Sequence, residues 1–405
     1  MLPEHTKESN NSLEDKSNDL QGLEHQLNKE HQSSSALGNG FIQSITIKNY
    51  KTIKNLENFP LRNINILIGA NGAGKSNFLK FWQLLKMSLR DQDIFDEYVA
   101  KQGEADALLS FGRKCSDRIE FELSTLYPAL SHSLFCVLGS TDYNTLLPPK
   151  YFFRPFPLGS LGFKIEDYKG VGVSMDTIWN HYSKILNQLQ QYHFHDTTAT
   201  SPILSSQPLY QNDRLFSDGE NIAPFIYRIY KHYRQNYDLL VRTIRALVPD
   251  FYDFHIDIKL KDTENTSLFW LNRNDMGSDN VKKYHPVLLS DGSLRIICLL
   301  TVLLQPKELM PKIILIDEPE LGLHPQAIDL ISQIIKDVSE HAQFIIATQS
   351  PAFINLFAPE DIVVVDKNAD GTSDFNRLDS SKLTHWLQNY SLSELWYKNI
   401  LGGQP

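Results

Sequence analysis

The stretch that most constrains this chain is Gly69-Ala70-Asn71-Gly72-Ala73-Gly74-Lys75-Ser76, which opens directly out of the apolar run Ile64-Asn65-Ile66-Leu67-Ile68. The spacing G-x-x-x-x-G-K-S predicts a loop whose glycines let the backbone curl until successive N–H groups point inward at nucleotide phosphates. Gly69, Asn71, Gly72, Ala73 and Gly74 then form the cradle, with Lys75 as the cation on the β/γ-phosphate oxygens. The Ser76 hydroxyl is the expected Mg²⁺ ligand at the start of the next helix, with Asn77 beside it, where the helix dipole favours anions. Such a loop needs a strand before it and a helix after it. Both are legible, because Phe78, Phe81, Trp82 and Leu85 fall at i, i+3, i+4 and i+7 on one apolar helical face. The expectation is an ATP site.

Further apolar runs bounded by turn signals reappear after residue 286, as expected of parallel strands buried on both faces. Ile313-Ile314-Leu315-Ile316 ends in Asp317-Glu318, a pairing that reads as a Walker B strand. Asp317 would hold Mg²⁺ through its shell and Glu318 would polarise the attacking water. Leu289-Ser290-Asp291-Gly292-Ser293-Leu294-Arg295 precedes the apolar segment 296–304 and, taken alone, is a helix cap. Pro325 suits the first residue of a helix carrying Ile328, Ile331 and Ile335 inward. Phe344-Ile345-Ile346-Ala347-Thr348-Gln349-Ser350 and Asp361-Ile362-Val363-Val364-Val365-Asp366 read as further strands, and Leu383, Trp386, Leu387 and Tyr390 as a closing amphipathic helix. Near the other end Phe41-Ile42-Gln43-Ser44-Ile45-Thr46-Ile47 reads as a strand, and Arg118-Ile119-Glu120-Phe121-Glu122-Leu123 alternates as a half-buried antiparallel strand does. The fold class is α/β with a mixed sheet.

Together, the phosphate loop with Asn71, Ser290-Asp291-Gly292-Ser293, the run Asp317-Glu318-Pro319-Glu320-Leu321-Gly322-Leu323-His324-Pro325 and Thr348-Gln349-Ser350 resemble the RecF/SMC/OLD-like branch of ABC ATPases. More narrowly the chain resembles the stand-alone AAA ATPases of bacteria, over about residues 41–405. That likeness takes in Val99-Ala100-Lys101-Gln102-Gly103, Phe111-Gly112-Arg113-Lys114, Tyr192-His193-Phe194-His195-Asp196, Trp386-Leu387 and Leu401-Gly402-Gly403-Gln404-Pro405. The resemblance implies an ABC-type P-loop NTPase with a parallel core and an inserted helical lobe, hydrolysing ATP to ADP and phosphate with Mg²⁺. It implies that Ser290 and Gly292 form a signature presented to the γ-phosphate of a partner subunit, so that the working unit is an ATP-dependent homodimer. It makes Leu321-Gly322-Leu323-His324-Pro325 a D-loop, and Glu318 and Gln349 the catalytic residues.

Transporters of the family usually carry a switch histidine where Gln349 stands. A glutamine can hydrogen-bond the γ-phosphate or the water but cannot take a proton near neutral pH, which counts against a His–Glu dyad. The long coiled coil of SMC proteins is missing, and the 50 or so residues after Gln349 are too few for the Toprim domain of OLD nucleases. The implied role is a nucleotide-gated switch in nucleic-acid metabolism or antiphage defence, with a separately encoded effector. The ATP-binding subunit of an ABC transporter is the competing class, disfavoured by Ser290-Asp291-Gly292-Ser293 in place of S-G-G-Q and by Gln349. A scaffold that holds ATP without turnover is a third, and the intact Glu318 weighs against it.

Residues 1–40 contain no aromatic residue and hold seven acids against three lysines, contributing −4 of the net −9; this composition cannot bury a core and predicts a disordered acidic tail. Residues 41–135 are expected to form the first ATPase lobe, 136–286 an inserted helical, aromatic-rich lobe, and 287–405 the second ATPase lobe. In the inserted stretch His193-Phe194-His195-Asp196 suggests metal ligands on one strand face, but no partner cluster completes a site and a structural role is the preferred reading. Arg228, Lys231, Arg242 and Arg245 interleave with Tyr227, Tyr230, Tyr233 and Tyr237, a workable nucleic-acid surface, although solvated helix faces are commonly basic. Cys115, Cys136 and Cys298 are too scattered for a disulfide framework or a zinc site. Neither an export signal nor an apolar run of membrane-spanning length is legible, so a cytoplasmic protein with no membrane partner is expected.

Overall fold

The apolar run ahead of the phosphate loop becomes a strand without an exposed residue, and the rest of the molecule is built on its two faces. The computed structural model describes residues 41–127, 130–155, 175–198, 200–259, 265–277 and 281–403; the acidic tail expected over residues 1–40, and Gln404 and Pro405, lie outside the described residues. The chain opens with β1 (Ile42–Tyr50) and β2 (Ile53–Pro60), enters β3 (Ile64–Ile68) and passes through the phosphate loop into α1 (Lys75–Ser88). β4 (Arg118–Tyr127), β5 (Leu130–Gly139) and β6 (Lys150–Pro155) join the first two strands in an antiparallel sheet of order β2-β1-β4-β5-β6.

After α2 (Met175–Asn187) comes the short strand β7 (Leu189–Tyr192). A lobe follows with β8 (Gln207–Pro208), α3 (Ile222–His232), α4 (Arg234–Leu247), β9 (Phe251–Lys259), β10 (Asn265–Asn272) and β11 (Lys283–Tyr284). The chain returns through α5 (Asp291–Leu303), β12 (Ile313–Asp317), α6 (Pro325–Val338), β13 (Gln343–Ala347), β14 (Ile362–Lys367) and β15 (Ser373–Arg377). It closes with α7 (Ser380–Leu387) and α8 (Leu392–Tyr397).

The second sheet has the order β15-β14-β3-β13-β12-β7. Its strands run parallel except β15, which pairs antiparallel with β14 at the edge and makes the sheet mixed. Because side chains alternate across a strand, this sheet divides its apolar residues between two cores. Ile66, Ile314, Ile316, Phe344, Ile346, Ile362 and Val364 pack with α3, α4, α5 and α6 on one side. Leu67, Ile313, Leu315, Ile345, Val363 and Val365 pack with α1 and the antiparallel sheet on the other. Each such side chain contributes about 1.5–3 kcal/mol on burial. Runs of consecutive apolar residues are therefore what this sheet requires.

Three features differ from the expectations. The antiparallel strands form a sheet of their own rather than extending the parallel one, and β5 and β6 carry it past residue 135. β7, inside the stretch expected to be an inserted lobe, is an edge strand of the parallel sheet, while the remainder of that stretch pairs β8, β9, β10 and β11 beside its helices. The expected closing helix α7 buries none of its residues, and Trp386 is 39% exposed. The residues that close the core are Leu392, Leu395 and Trp396 of α8, a helix set by a capping box between Ser391 and Glu394. Among the described residues no helix is long and apolar enough to cross a membrane.

Candidate active site

Register decides where the chemistry gathers. Leu67 pairs with Ala347, Ala347 with Asp317, and Ile316 with Tyr192, so β3, β13, β12 and β7 end level with one another. The segments leaving them emerge side by side at the carboxyl edge of the sheet, where ligands of open α/β sheets bind. A cleft of about 280 Å³ lies there. The phosphate loop lines it with Ala70, Asn71, Gly72, Gly74, Lys75, Ser76 and Asn77, and the other strand ends supply His195, Asp317, Glu318 and Gln349.

Close packing fixes the shape of the loop. Gly74 has φ +122°, and a Cβ there would lie 2.1 Å from Ser373 Oγ; one on Gly69 would lie 2.2 Å from the Val365 carbonyl oxygen. Ser373 Oγ donates to the Ala73 carbonyl, and Thr52 Oγ1 accepts from Asn77 Nδ2 at 2.9 Å, so Gly69 and Ala73 shape the cradle from behind. Trp396 Nε1 donates to the Gly403 carbonyl and Gly403 N donates to Asp366 Oδ1 at 2.6 Å, which seats the carboxyl-terminal Leu401-Gly402-Gly403 run against Gly69.

Lys75 is buried, and its Nζ donates to the carbonyls of Gly69 (2.5 Å) and Ala70 (3.1 Å). Burial lowers its pKa, while Glu318 and Asp317 oppose that shift. Glu318 sits in the left-handed region with φ +48°, a conformation that costs a side chain about 1–2 kcal/mol. Its N–H donates to the Ala347 carbonyl at 2.8 Å, and its Oε1 accepts from Gln349 Nε2 at 3.0 Å. Behind it the buried Glu320 accepts a hydrogen bond from Thr348 Oγ1.

The donor set suits a nucleotide and a hard cation. Ser76 and Asp317 offer two oxygen ligands on one cleft, and among the described residues no cluster of three or more His, Cys, Asp or Glu could cage a metal alone. Mg²⁺ is ordinarily held in this way, by one or two protein oxygens, water and substrate phosphates.

Ser290 and Gly292 are not in the cleft wall. Ser290 is the exposed N-cap of α5, its hydroxyl accepting from Ser293 N at 3.1 Å. Gly292 packs against the turn at Leu321-Gly322, where a Cβ would lie 2.6 Å from the Gly322 carbonyl oxygen. Arg295, one turn along, donates from Nε to the Phe194 carbonyl (3.2 Å), from Nη2 to the His195 carbonyl (2.9 Å) and from Nη1 to the Leu321 carbonyl (3.0 Å). It joins α5, the segment after β7 and the turn at Leu321.

Sequence reasoning gave no place at the cleft to His195, which lines it, or to Glu320, buried behind Glu318. In the His193-Phe194-His195-Asp196 stretch, His195 faces the cleft, while Asp196 accepts from Thr198 N at 3.0 Å in its own turn. Burial lowers the pKa of His193, with Asp317 opposing. Only recognition of Leu189–Tyr192 as a strand parallel to β12 could have placed His195 beside Asp317. Of the basic residues on α3 and α4, Lys231, Arg234 and Arg245 lie over tyrosine rings outside the cleft, with Lys231 Nζ 5.4 Å from the Tyr227 ring centre, Arg234 Cζ 5.0 Å from that of Tyr230 and Arg245 Cζ 4.3 Å from that of Tyr252, whereas Arg228 and Arg242 donate to the carbonyls of Asn212 and Asp238.

Residues 206–355 match the sequence family described as "AAA domain, putative AbiEii toxin, Type IV TA system", a span that includes Ser290, Gly292, Asp317, Glu318 and Gln349 but not the phosphate loop. No curated protein matches the chain. Among solved structures, the chain is similar to an SMC head bound to the C-winged helix domain of ScpA, with 16% identity and a TM-score of 0.55 over 85% of this chain and 99% of that one. It also aligns with an SMC head with an extended coiled coil bound to the C-terminal domain of ScpA, derived from Pyrococcus furiosus (14% identity, TM-score 0.49, 86% and 98% covered). The SMC head domain from Thermotoga maritima aligns over 84% and 99% at 14% identity and a TM-score of 0.43. The first of these likenesses is one of fold.

Proposed function

We propose that this ABC-type, RecF/SMC-like AAA ATPase binds Mg²⁺·ATP in the cleft and hydrolyses it to ADP and phosphate, its nucleotide state governing the association of two copies. The observation that carries the reading is the convergence of Lys75, Ser76, Asp317, Glu318 and Gln349 on one cleft from three separate strand ends. Lys75 exchanges loop carbonyls for phosphate oxygens. Ser76 and Asp317 would hold a magnesium ion, which would supply positive charge against the phosphates. Glu318 takes the proton of the attacking water, a role worth about 10²–10⁴ in rate. Gln349, bonded to Glu318, orients that water.

In the same reading Ser290 and Gly292 act in the partner subunit's site, their helix N-terminus meeting its γ-phosphate. Support comes from the exposure of that face: Leu288 is 65%, Val287 46% and Leu321 44% exposed beside the signature and the D-loop, an apolar rim that a second copy would cover. The SMC head that aligns at a TM-score of 0.55 is bound to the C-winged helix domain of ScpA, which favours a separate protein partner for this chain too. The resemblance of the motifs favours antiphage defence or nucleic-acid metabolism as the setting; the matched family's description names a putative toxin of a Type IV TA system.

Phosphate release and nucleotide binding test the reading. Lys75→Ala is expected to abolish nucleotide binding, whereas Glu318→Gln keeps binding and traps ATP. Equal turnover in wild type and Glu318→Gln would remove Glu318 from the catalytic role.

A further inference from the structure

We propose that Glu320 is a positioning residue of this same site: as the neutral acid it donates a hydrogen bond to the Glu318 carboxylate while accepting one from Thr348, tying the water-activating glutamate to the switch segment. The inference rests on the hydrolytic reading of the cleft and adds to it a residue that does not touch the nucleotide.

Glu320 is 8% exposed, at the turn that follows β12. Its Oε1 accepts from Thr348 Oγ1, and Thr348 Oγ1 in turn accepts from Ser350 N at 2.9 Å. Its Oε2 is buried and has no hydrogen-bond partner among the described residues. The titratable group facing it is Glu318. From the switch segment come the uncharged Thr348 and Gln349, and Lys75 of the phosphate loop acts on Glu318 and Asp317 instead. The buried carboxyl of Glu320 thus lies beside that of Glu318, which opens onto the cleft, and no cation among the described residues stands between them.

A buried, unpartnered carboxylate oxygen is costly, and a like charge beside it adds to the cost. A proton on Glu320 relieves both: the charge goes, and Oε2 becomes a donor aimed at an acceptor otherwise held by Gln349 alone. Burial supplies the proton by pushing the Glu320 pKa up to about 7, with Glu318 adding to the rise and the Thr348 hydrogen bond opposing it. Glu318 is then gripped on two sides, by Gln349 and by Glu320, both anchored on the segment after β13. A displacement of about 1 Å in a reacting group can cost about 10²-fold in rate, so the grip bears on turnover.

The test compares wild type, Glu320→Gln and Glu320→Ala in steady-state turnover with saturating Mg²⁺·ATP from pH 6 to 9. Glutamine reproduces the neutral acid at every pH, its carbonyl accepting from Thr348 and its amide donating to Glu318. Wild-type kcat should fall as pH rises through about 7, because Glu320 ionises. Glu320→Gln should match wild type at pH 6.5 within about threefold and show no such fall. Glu320→Ala should lower kcat by about 10–100-fold with KM for ATP little changed. The same alkaline fall in Glu320→Gln as in wild type, or a Glu320→Gln as slow as Glu320→Ala while still folded by circular dichroism, would overturn the proposal. A wild type that binds ATP but never turns it over would defeat the hydrolytic reading. The proton is then still read in nucleotide-free protein: wild type should lose stability relative to Glu320→Gln between pH 5 and 8, and an identical pH dependence of the two refutes the proposal.

Discussion

Glu318 and Glu320 show at the scale of single residues how two acids two positions apart come to stand in different surroundings. Glu318 opens onto the cleft, whereas Glu320 is enclosed and its carboxyl is held well above the ordinary value of 4.5, at about 7. The sign of the linked stability follows. Between those two values the unfolded chain has released the proton while the folded chain keeps it, so stability falls as pH rises. The Glu320 contribution is complete below pH 4.5 and gone above about 7, a difference on the order of 3 kcal/mol. Urea unfolding of wild type and Glu320→Gln at pH 5 and pH 8 measures it. A second residue-scale prediction concerns Gly74. Its φ of +122° and the 2.1 Å approach of a built Cβ to Ser373 Oγ mean that Gly74→Ala strains the loop and displaces Ser373. We expect a loss of about 2–4 kcal/mol in unfolding free energy and at least about tenfold weaker ATP binding, read by urea denaturation and calorimetry. Spacing made the phosphate-loop residues, Asp317 and Glu318 legible, because their chemistry is local in sequence. His195 and Glu320 were not, because each gains its surroundings from a distant strand end, β12 for the one and the segment after β13 for the other.

At the scale of elements, strands of the parallel sheet were legible where both faces are apolar, as in β3, β12, β13 and β14. β7 was not, since an edge strand reading Leu-Gln-Gln-Tyr has neither an apolar run nor clean alternation, and part of its order comes from Lys86 Nζ donating to the Leu189 carbonyl at 2.6 Å. The closing helix was legible as α7, but its burial was not. Of the Leu383, Trp386, Leu387 and Tyr390 pattern, Leu387 packs against the core without being fully buried, whereas the shorter α8 carries the buried Trp396. Arg295 is where elements are coupled. Its truncation to Ala would release the carbonyls of Phe194, His195 and Leu321 together, and charged hydrogen bonds of this kind contribute about 1.5–3 kcal/mol each before solvent replaces part of the loss. We expect Arg295→Ala to cost about 2 kcal/mol overall and to raise amide exchange in residues 193–198 and 321–324. Arg295→Lys, with a single compact ammonium, should restore only part of the protection. Unchanged exchange in both segments would show that the guanidinium is not what joins them.

At the scale of the whole molecule, the central claim is that two copies complete each other's sites. Lys75 and Glu318 share one cleft, while Ser290 stands exposed on a helix N-terminus outside it, next to apolar residues left uncovered in a single chain. A two-fold pair would bring the signature of one copy to the phosphate loop of the other and close both sites. The fold needed for this was legible through the order of motifs; the exposed rim of Val287, Leu288 and Leu321 was not, because exposure is a property of packing. The most direct measurement is ATPase complementation between Lys75→Ala and Ser290→Arg, each expected to be inactive alone. In a heterodimer one site collects both lesions and the other pairs an intact loop with an intact signature. Activity should return at up to about half the wild-type level per heterodimer when the two sites fire independently. Heterodimers proven by cross-linking with no recovered activity, together with a fully active wild-type monomer in sedimentation, would contradict the account.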